Sequence, residues 1–338
     1  MNVKLIDYSK KSKEFEAYHK KGDTNLNYAG FECFNGIYKF APDGVTDITG
    51  LPHSGKSEFA LELLFYQTEA YGKRHLLYVP DIGSYKEIRR KLLVKHYRRS
   101  FNGYENSITN SDLIKATAFI DTYFLIASKD DPKKPITPID LWNFAVDYED
   151  NSGRIDCVFI DAWKNLFHDL QAFGGREDVY LDYVLGYRND LAEAKEIHLM
   201  TIAHPKKMEI IMPKDGSKPK RRVPDANDIK GGSAWDSNGK VIITVDYPDR
   251  SSQYSDIYFN KVKPDTLGKK DVVFETLEFD WKKSRYRETI EGRICYAGEG
   301  KKHRENGDFI GFAGIKKGES IDKLFDNNDI KPIETAPF

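Results

Sequence analysis

The sequence predicts an α/β fold, a mostly parallel, twisted sheet with helices on both faces and an antiparallel extension at one edge. Three observations predict it. Short apolar runs alternate with longer helical patterns through the first two hundred residues, the alternation that builds a parallel sheet covered on both sides. The first of these runs leads through Gly50-Leu51-Pro52-His53-Ser54-Gly55-Lys56-Ser57 into a helical pattern. The last apolar runs follow one another without helical spacers, which calls for antiparallel pairing.

The elements follow in order. A short amphipathic stretch at 12–21 predicts a first helix within a polar opening segment, 1–36. Strands are predicted at 45–49, 75–79, 122–126, 157–160, 198–202, 241–245, 256–261 and 272–277, each rich in β-branched, aromatic or other apolar residues. Between most of the early ones lie helical patterns at 56–71, 85–97, 112–119, 138–148 and 178–196. The core is therefore expected over 37–287. Beyond it, 288–338 turns polar and Gly-rich and reads as a tail. No internal repeat is present in the 338 residues.

Composition narrows the function classes. Charged residues make up 31% of the chain, yet the formal net charge is only −1, so any nucleic-acid contact must come from a local patch rather than a global field. Cys33, Cys157 and Cys295 are too far apart for a disulfide framework or a zinc site, and Cys157 lies in an apolar run that reads as core. No apolar run is long enough to span a bilayer, and Met1-Asn2-Val3-Lys4 does not open a signal peptide. The expectation is a soluble protein of a reducing compartment, the cytoplasm, without membrane partners.

The loop at 50–57 fits the pattern G-x-x-x-x-G-K-[ST]. Glycines let successive backbone N–H groups turn toward one phosphate, a lysine adds a point charge for the outer phosphates, and a serine hydroxyl can ligate Mg²⁺. Gly50, His53, Ser54, Gly55, Lys56, Ser57 and Glu58 are thus the expected nucleotide contacts, with ATP and Mg²⁺ as cofactors. A second signal is the strand Asp156-Cys157-Val158-Phe159-Ile160-Asp161, where Asp161 stands at a strand end that can face a metal ion beside such a loop. A third is Leu199-Met200-Thr201-Ile202-Ala203-His204, which places a polar group one strand further on, able to sense a γ-phosphate. The segment after it carries Lys206, Lys207, Lys214, Lys218, Lys220, Arg221 and Arg222 against Glu209 and Asp215, broken by Pro213, Gly216 and Pro219. Such a basic loop can track a phosphate backbone.

In this order the pieces resemble the RecA-like core of replicative hexameric helicases of the DnaB-type and Twinkle-like group, in a form lacking a primase domain. The resemblance rests on VTDITGLPHSGKSEFA (45–60), LLYVPDIG (76–83), CVFIDAWKNLFHD (157–169), TIAHPKKM (201–208), DIKGGSAWDSNGKVIITV (228–245) and NKVK (260–263), and covers 37–287. It implies that Lys56 and Ser57 bind phosphate and Mg²⁺, that Asp161 lies beside the metal, and that His204 couples the γ-phosphate to the DNA-binding loop. Where such helicases place a catalytic glutamate, this chain has Asp81, one methylene shorter. Lys261 and Lys263 match a Lys-x-Arg pair that reaches into a neighbour's nucleotide site, so the arginine finger would here be a lysine. A lysine supplies charge without the planar fork of arginine.

The resemblance further implies a homo-oligomer, a hexameric ring, translocating 5′ to 3′ on single-stranded DNA. The helix at 12–21 matches in position a linker that docks on the adjacent subunit. With no primase or collar segment ahead of it, the motor would depend on a separate primase, loader or polymerase. The last stretch, with Asp326, Asp329, Glu334 and terminal Pro337-Phe338, resembles acidic tips that recruit replication partners. Two other readings of the same core stay open: a RecA-type strand-exchange ATPase, and a weakly catalytic, nucleotide-dependent DNA-binding scaffold or loader, the latter suggested by Asp81 and Lys263.

Overall fold

A computed structural model describes residues 8–21, 26–103, 107–212, 220–249, 252–268 and 272–300. Ten strands form one sheet: β1 (Val45–Thr49), β2 (His75–Tyr78), β3 (Phe124–Ile126), β4 (Cys157–Asp161), β5 (His198–Ile202), β6 (Val241–Asp246), β7 (Tyr254–Val262), β8 (Val273–Asp280), β9 (Arg285–Ile290) and β10 (Arg293–Tyr296). Their order across the sheet is β10-β9-β8-β7-β6-β1-β5-β4-β2-β3. Pairing is parallel from β6 through β3 and antiparallel from β6 through β10, the architecture expected from the sequence.

The helices are α1 (Tyr8–Lys21), α2 (Lys56–Tyr71), α3 (Tyr85–Tyr97), α4 (Asn110–Tyr123), α5 (Pro138–Asp147), α6 (Glu177–Lys195) and α7 (Gly232–Asn238). Local chemistry sets their ends. Capping boxes, Thr109 with Asp112 and Thr137 with Asp140, start α4 and α5, and Pro138 adds a preset φ to the first turn of α5. Gly72 closes α2 in the left-handed region, its N–H donating to Gln67 and Thr68 carbonyls. Helix α4 begins two residues and ends four residues outside its expected span, taking over Thr122 and Tyr123, so the strand expected at 122–126 shortens to β3.

Strand residues alternate between two apolar layers. Cys157 and Phe159 pack with α2, α3 and α4, whereas Val158 and Ile160 pack with α5, α6 and α7. Cys157 is core, as expected, and all three cysteines are free. Segment 26–41 belongs to the first layer. Ala29, Phe31, Phe34, Tyr38 and Phe40 are buried there, and the Phe34 ring meets Phe259 edge-on at 4.9 Å. The core therefore starts earlier than residue 37.

It also ends later than 287. Strands β9 and β10 extend the sheet, although residues from Glu288 onward read as polar tail. Their charges are paired within the fold: Arg285 Nε meets Glu62 Oε1 at 2.6 Å, and Glu288 accepts from the backbone N–H groups of Glu32 (2.8 Å) and Cys33 (3.0 Å). Polarity marks exposure only when the partners are water, and here they are protein. The stretch with Asp326, Asp329, Glu334 and Phe338 lies outside the described residues. On α1, Phe15 and Tyr18 are exposed and stack on each other. Among the described residues no helix is long and apolar enough to cross a membrane.

At the sheet centre, Asp47 of β1 is fully buried and bound on both oxygens by Arg188 of α6, at 2.5 and 2.9 Å. Arg188 also lies over the Trp235 ring of α7, at 5.6 Å. Removing one partner of such a pair strands a charge in the interior. We expect Arg188→Ala to cost about 3–5 kcal/mol in urea unfolding, and an apolar replacement of both partners, Asp47→Leu with Arg188→Met, to cost distinctly less.

Candidate functional site

Four neighbouring strands end at one edge of the sheet. Parallel register sets Ile48 beside Ile202, Ile202 beside Asp161, and Ile160 beside Tyr78. The residues that follow these strand ends therefore converge. They are the loop after β1, His204 after β5, Asp161 at the end of β4, and Asp81 after β2.

The loop is shaped by close backbone approach. Gly50 leaves β1 at φ 145°, and a Cβ there would fall 2.2 Å from the Val245 carbonyl oxygen. Gly55 starts α2 at φ 91°, where a Cβ would fall 2.6 Å from the Tyr286 hydroxyl. Only glycine fits either place. His53 is also left-handed, at φ 63°. Lys56 Nζ donates to the carbonyls of Gly50 (3.0 Å) and Leu51 (2.7 Å), and its burial pushes its pKa down to about 8, with Lys164 helping and Asp161 and Asp81 opposing. Among the described residues, Ser54 Oγ is buried without a hydrogen-bond partner. An α-helix N-terminus and an unsatisfied hydroxyl at a positively charged loop suit an anionic ligand.

Ser57 Oγ donates to Asp161 Oδ2, joining the loop to the end of β4. Burial raises the Asp161 pKa to about 6, with Asp81 adding to the effect and the Ser57 bond opposing it. Asp81 is held on both oxygens, by Asn165 Nδ2 at 2.6 Å and by Lys164 Nζ at 2.9 Å, and its backbone N–H donates to the Asp161 carbonyl at 3.2 Å. Burial pushes its carboxyl up, but the Asn165 and Lys164 contacts outweigh that and hold it below the usual carboxylate range. His204 Nε2 is 3.8 Å from Asp81 Oδ2, while His204 Nδ1 is buried without a partner. Burial, then the charges of Lys56 and Lys164, lower the His204 pKa and favour the neutral ring at pH 7.

Other expected site residues fall elsewhere. Glu58 turns away from the loop: its carboxylate pairs with Lys91 and Lys95 and accepts from Ser284 Oγ, which offset its burial and hold its pKa at about 2. Its side chain braces α2 against α3 and the sheet extension. Lys261 is folded back on α7, bonded to the Asp236 carbonyl and 3.9 Å from the Asp236 carboxylate, with 14% of its side chain exposed. Lys263 is exposed, and its N–H donates to the Lys240 carbonyl at 2.9 Å. Because Val262 pairs with Val241 at the start of β6 while Val245 flanks Gly50, Lys263 stands at the opposite sheet edge, about 13 Å along the strand direction from its own loop.

The basic segment leaves directly from the site. Lys206 and Lys207 are exposed, and the Lys206 N–H donates to the Asp228 carbonyl while Lys230 N–H donates to the His204 carbonyl. Lys220–Arg221 form a two-residue ladder with Ile210–Ile211, so the segment returns as a hairpin. The side chains of Lys220 and Arg221, and all of Lys214 and Lys218, lie outside the described residues. Arg222 is paired within the fold, with Asp225 at 3.0 Å and Asp228 at 2.5 Å. Between this segment and Leu51-Pro52 lies a cavity of 470 Å³ that His204 lines.

Neither a protein-family model nor a curated protein matches the sequence. Solved structures do. An ATPase domain superposes with a TM-score of 0.61 at 12% identity, covering 84% of this chain and 99% of that one. A DnaB-like replicative helicase, solved in a study of its interactions with primase, superposes with a TM-score of 0.60 at 13% identity, covering 84% of this chain and 67% of that one. The chain shares the α/β fold of these helicase ATPase domains. At such identities the likeness speaks for the fold, and the site must be argued from its own residues.

Those residues fit a nucleoside triphosphate with Mg²⁺. A serine hydroxyl and a carboxylate form the hard oxygen donor pair that Mg²⁺ accepts, and Ser57 and Asp161 would hold it. Two residues in this RecA-like core were not singled out from sequence, Lys164 and Asn165. They occupy the single turn Trp163–Asn165, fixed because Trp163 packs edge-on against Trp235 at 5.2 Å and stacks with Trp142 at 6.3 Å. Their signal was their place three and four residues after Asp161. Tyr286, against Gly55, carried no sequence signal.

A lysine with a pKa of about 8 in the free site is raised by a bound phosphate, so binding takes up a proton as pH rises above 8. Nucleotide affinity is expected to fall between pH 7.5 and 9, with proton uptake visible by calorimetry in buffers of different ionisation enthalpy. Lys56→Arg should abolish that uptake.

Proposed function

We propose that this chain is an ATP-driven motor on single-stranded DNA that assembles as a ring, acting as a replicative helicase. The observation that carries the reading is the convergence of Lys56, Ser57, Asp161, Asp81 and His204 at one sheet edge while Lys263 lies at the other. Lys263 is out of reach of a nucleotide at the first edge of its own chain, which favours its supply by a neighbouring copy. That separation and the fold shared with the helicase ATPase domains support a ring.

In this reading the loop N–H groups and Lys56 bind and orient the triphosphate, and Mg²⁺ held at Ser57 and Asp161 screens charge on the phosphates. Asp81 orients the attacking water and takes its proton, a task its shorter side chain performs only if water is drawn close. His204, with Nε2 3.8 Å from Asp81 Oδ2 and its carbonyl tied to Lys230, would relay phosphate state to the basic hairpin. Lys206, Lys207 and the hairpin basic residues would follow the DNA backbone. Primase, loader and polymerase would be separate partners, and the polarity would be 5′ to 3′.

The weakly catalytic scaffold remains the competing reading, favoured by one observation: both Asp81 oxygens are already engaged. Phosphate release with and without single-stranded DNA, together with forked-duplex unwinding, decides between them. We expect DNA-stimulated release by the wild-type chain, reduced at least a hundredfold in Lys56→Ala and Asp81→Ala. Lys263→Ala should lose turnover while retaining ATP. Wild-type turnover no faster than Lys56→Ala would overturn the motor and leave the scaffold.

A further inference from the structure

We propose that Lys164 is a second, cis-acting cation of the nucleotide site, facing the γ-phosphate side and holding Asp81 in place. The inference rests on the nucleotide site argued above. Lys164 follows Asp161 by three residues and emerges at the same sheet edge as the loop. Its ammonium lies 2.9 Å from Asp81 Oδ2, the oxygen that is also 3.8 Å from His204 Nε2. Lys56, Asp161 and His204 all feel its charge, so Lys164 stands among the four groups that would surround the terminal phosphate.

The placement has a chemical use. Lys263 brings one positive charge from a neighbour without the two-pronged geometry of an arginine. Phosphoryl transfer spreads negative charge over the terminal oxygens, and a single lysine neutralises less of it than a guanidinium with a fixed fork. Lys164 adds a charge from within the chain. With 56% of its side chain exposed, its four-carbon stem is long enough and free enough to bridge Asp81 and an entering phosphate. Asn165 keeps its own hydrogen bond to Oδ1, so Asp81 stays oriented while Lys164 divides its donors. The turn that carries both is pinned by Trp163, leaving the lysine stem as the adjustable part.

The full chain serves for the test, with the Mg²⁺ complexes of ATPγS and ADP as probes. Lys164→Gln should weaken ATPγS binding about tenfold and change ADP binding less than twofold, the loss of one charge-assisted contact to the terminal phosphate. Lys164→Arg should restore most of the ATPγS affinity. Equal weakening of both nucleotides, as a structural role gives, or no change in either would overturn the inference. Mixed assemblies test the cis assignment. Lys263→Ala chains should regain turnover when mixed with Lys56→Ala chains, which supply the missing lysine in trans. Lys164→Gln chains should not, and regain there would overturn a cis role. Should the wild-type chain hydrolyse nothing, the motor reading falls, while the binding ratio still decides Lys164.

Discussion

Because β1, β5, β4 and β2 are adjacent, parallel and in register, the residues that follow their carboxyl ends emerge at the same sheet edge, and the hydrogen bond from Ser57 to Asp161 closes that edge. The remaining structure serves this convergence. Asp47 and Arg188 fix β1 against α6 from inside the sheet, and Trp163 fixes the turn that follows β4. A slip of one residue in any of the four strands would point its side chains to the other layer and move the loop or Asp161 away.

The site is under electrostatic tension. Burial drives Lys56 toward neutrality and Asp161 toward protonation, while Asp81 remains charged because Lys164 and Asn165 hold it. A triphosphate with a divalent cation would relieve both strains, since phosphate favours the charged lysine and a cation favours the charged carboxylate. Lys56 turns back on the carbonyls of its own loop, and an anion there would favour its charged form.

The antiparallel extension supports the loop from the far side. Tyr286 of β9 places its hydroxyl against Gly55, and Arg285 beside it is buried among Glu62, Glu69 and the Lys95 carbonyl. Lys95 in turn reaches Glu58 and Glu62 on α2. One buried ionic network therefore binds the helix after the loop to α3 and to the sheet extension. Its charges are satisfied only as a set, which makes each member costly to remove singly.

By itself the sequence determined the α/β class and the parallel-then-antiparallel sheet, and it placed the loop, Asp161, His204 and Asp81 after strands that end at one sheet edge. Those signals are local: a strand, a turn with glycines at fixed spacing, a helix, and polar residues at strand ends. Only the tertiary structure decided which charges are free. Glu58, Lys261 and Arg222 read as functional because they are charged and well placed in the chain, yet each is neutralised by a residue distant from it in the chain or from a neighbouring turn. Glu288 reads as tail for the same reason, and Lys164 carries no local signal because its contact is with Asp81, far earlier in the chain. Charge is written in the sequence, but its partner is not, since pairing depends on which strands lie side by side.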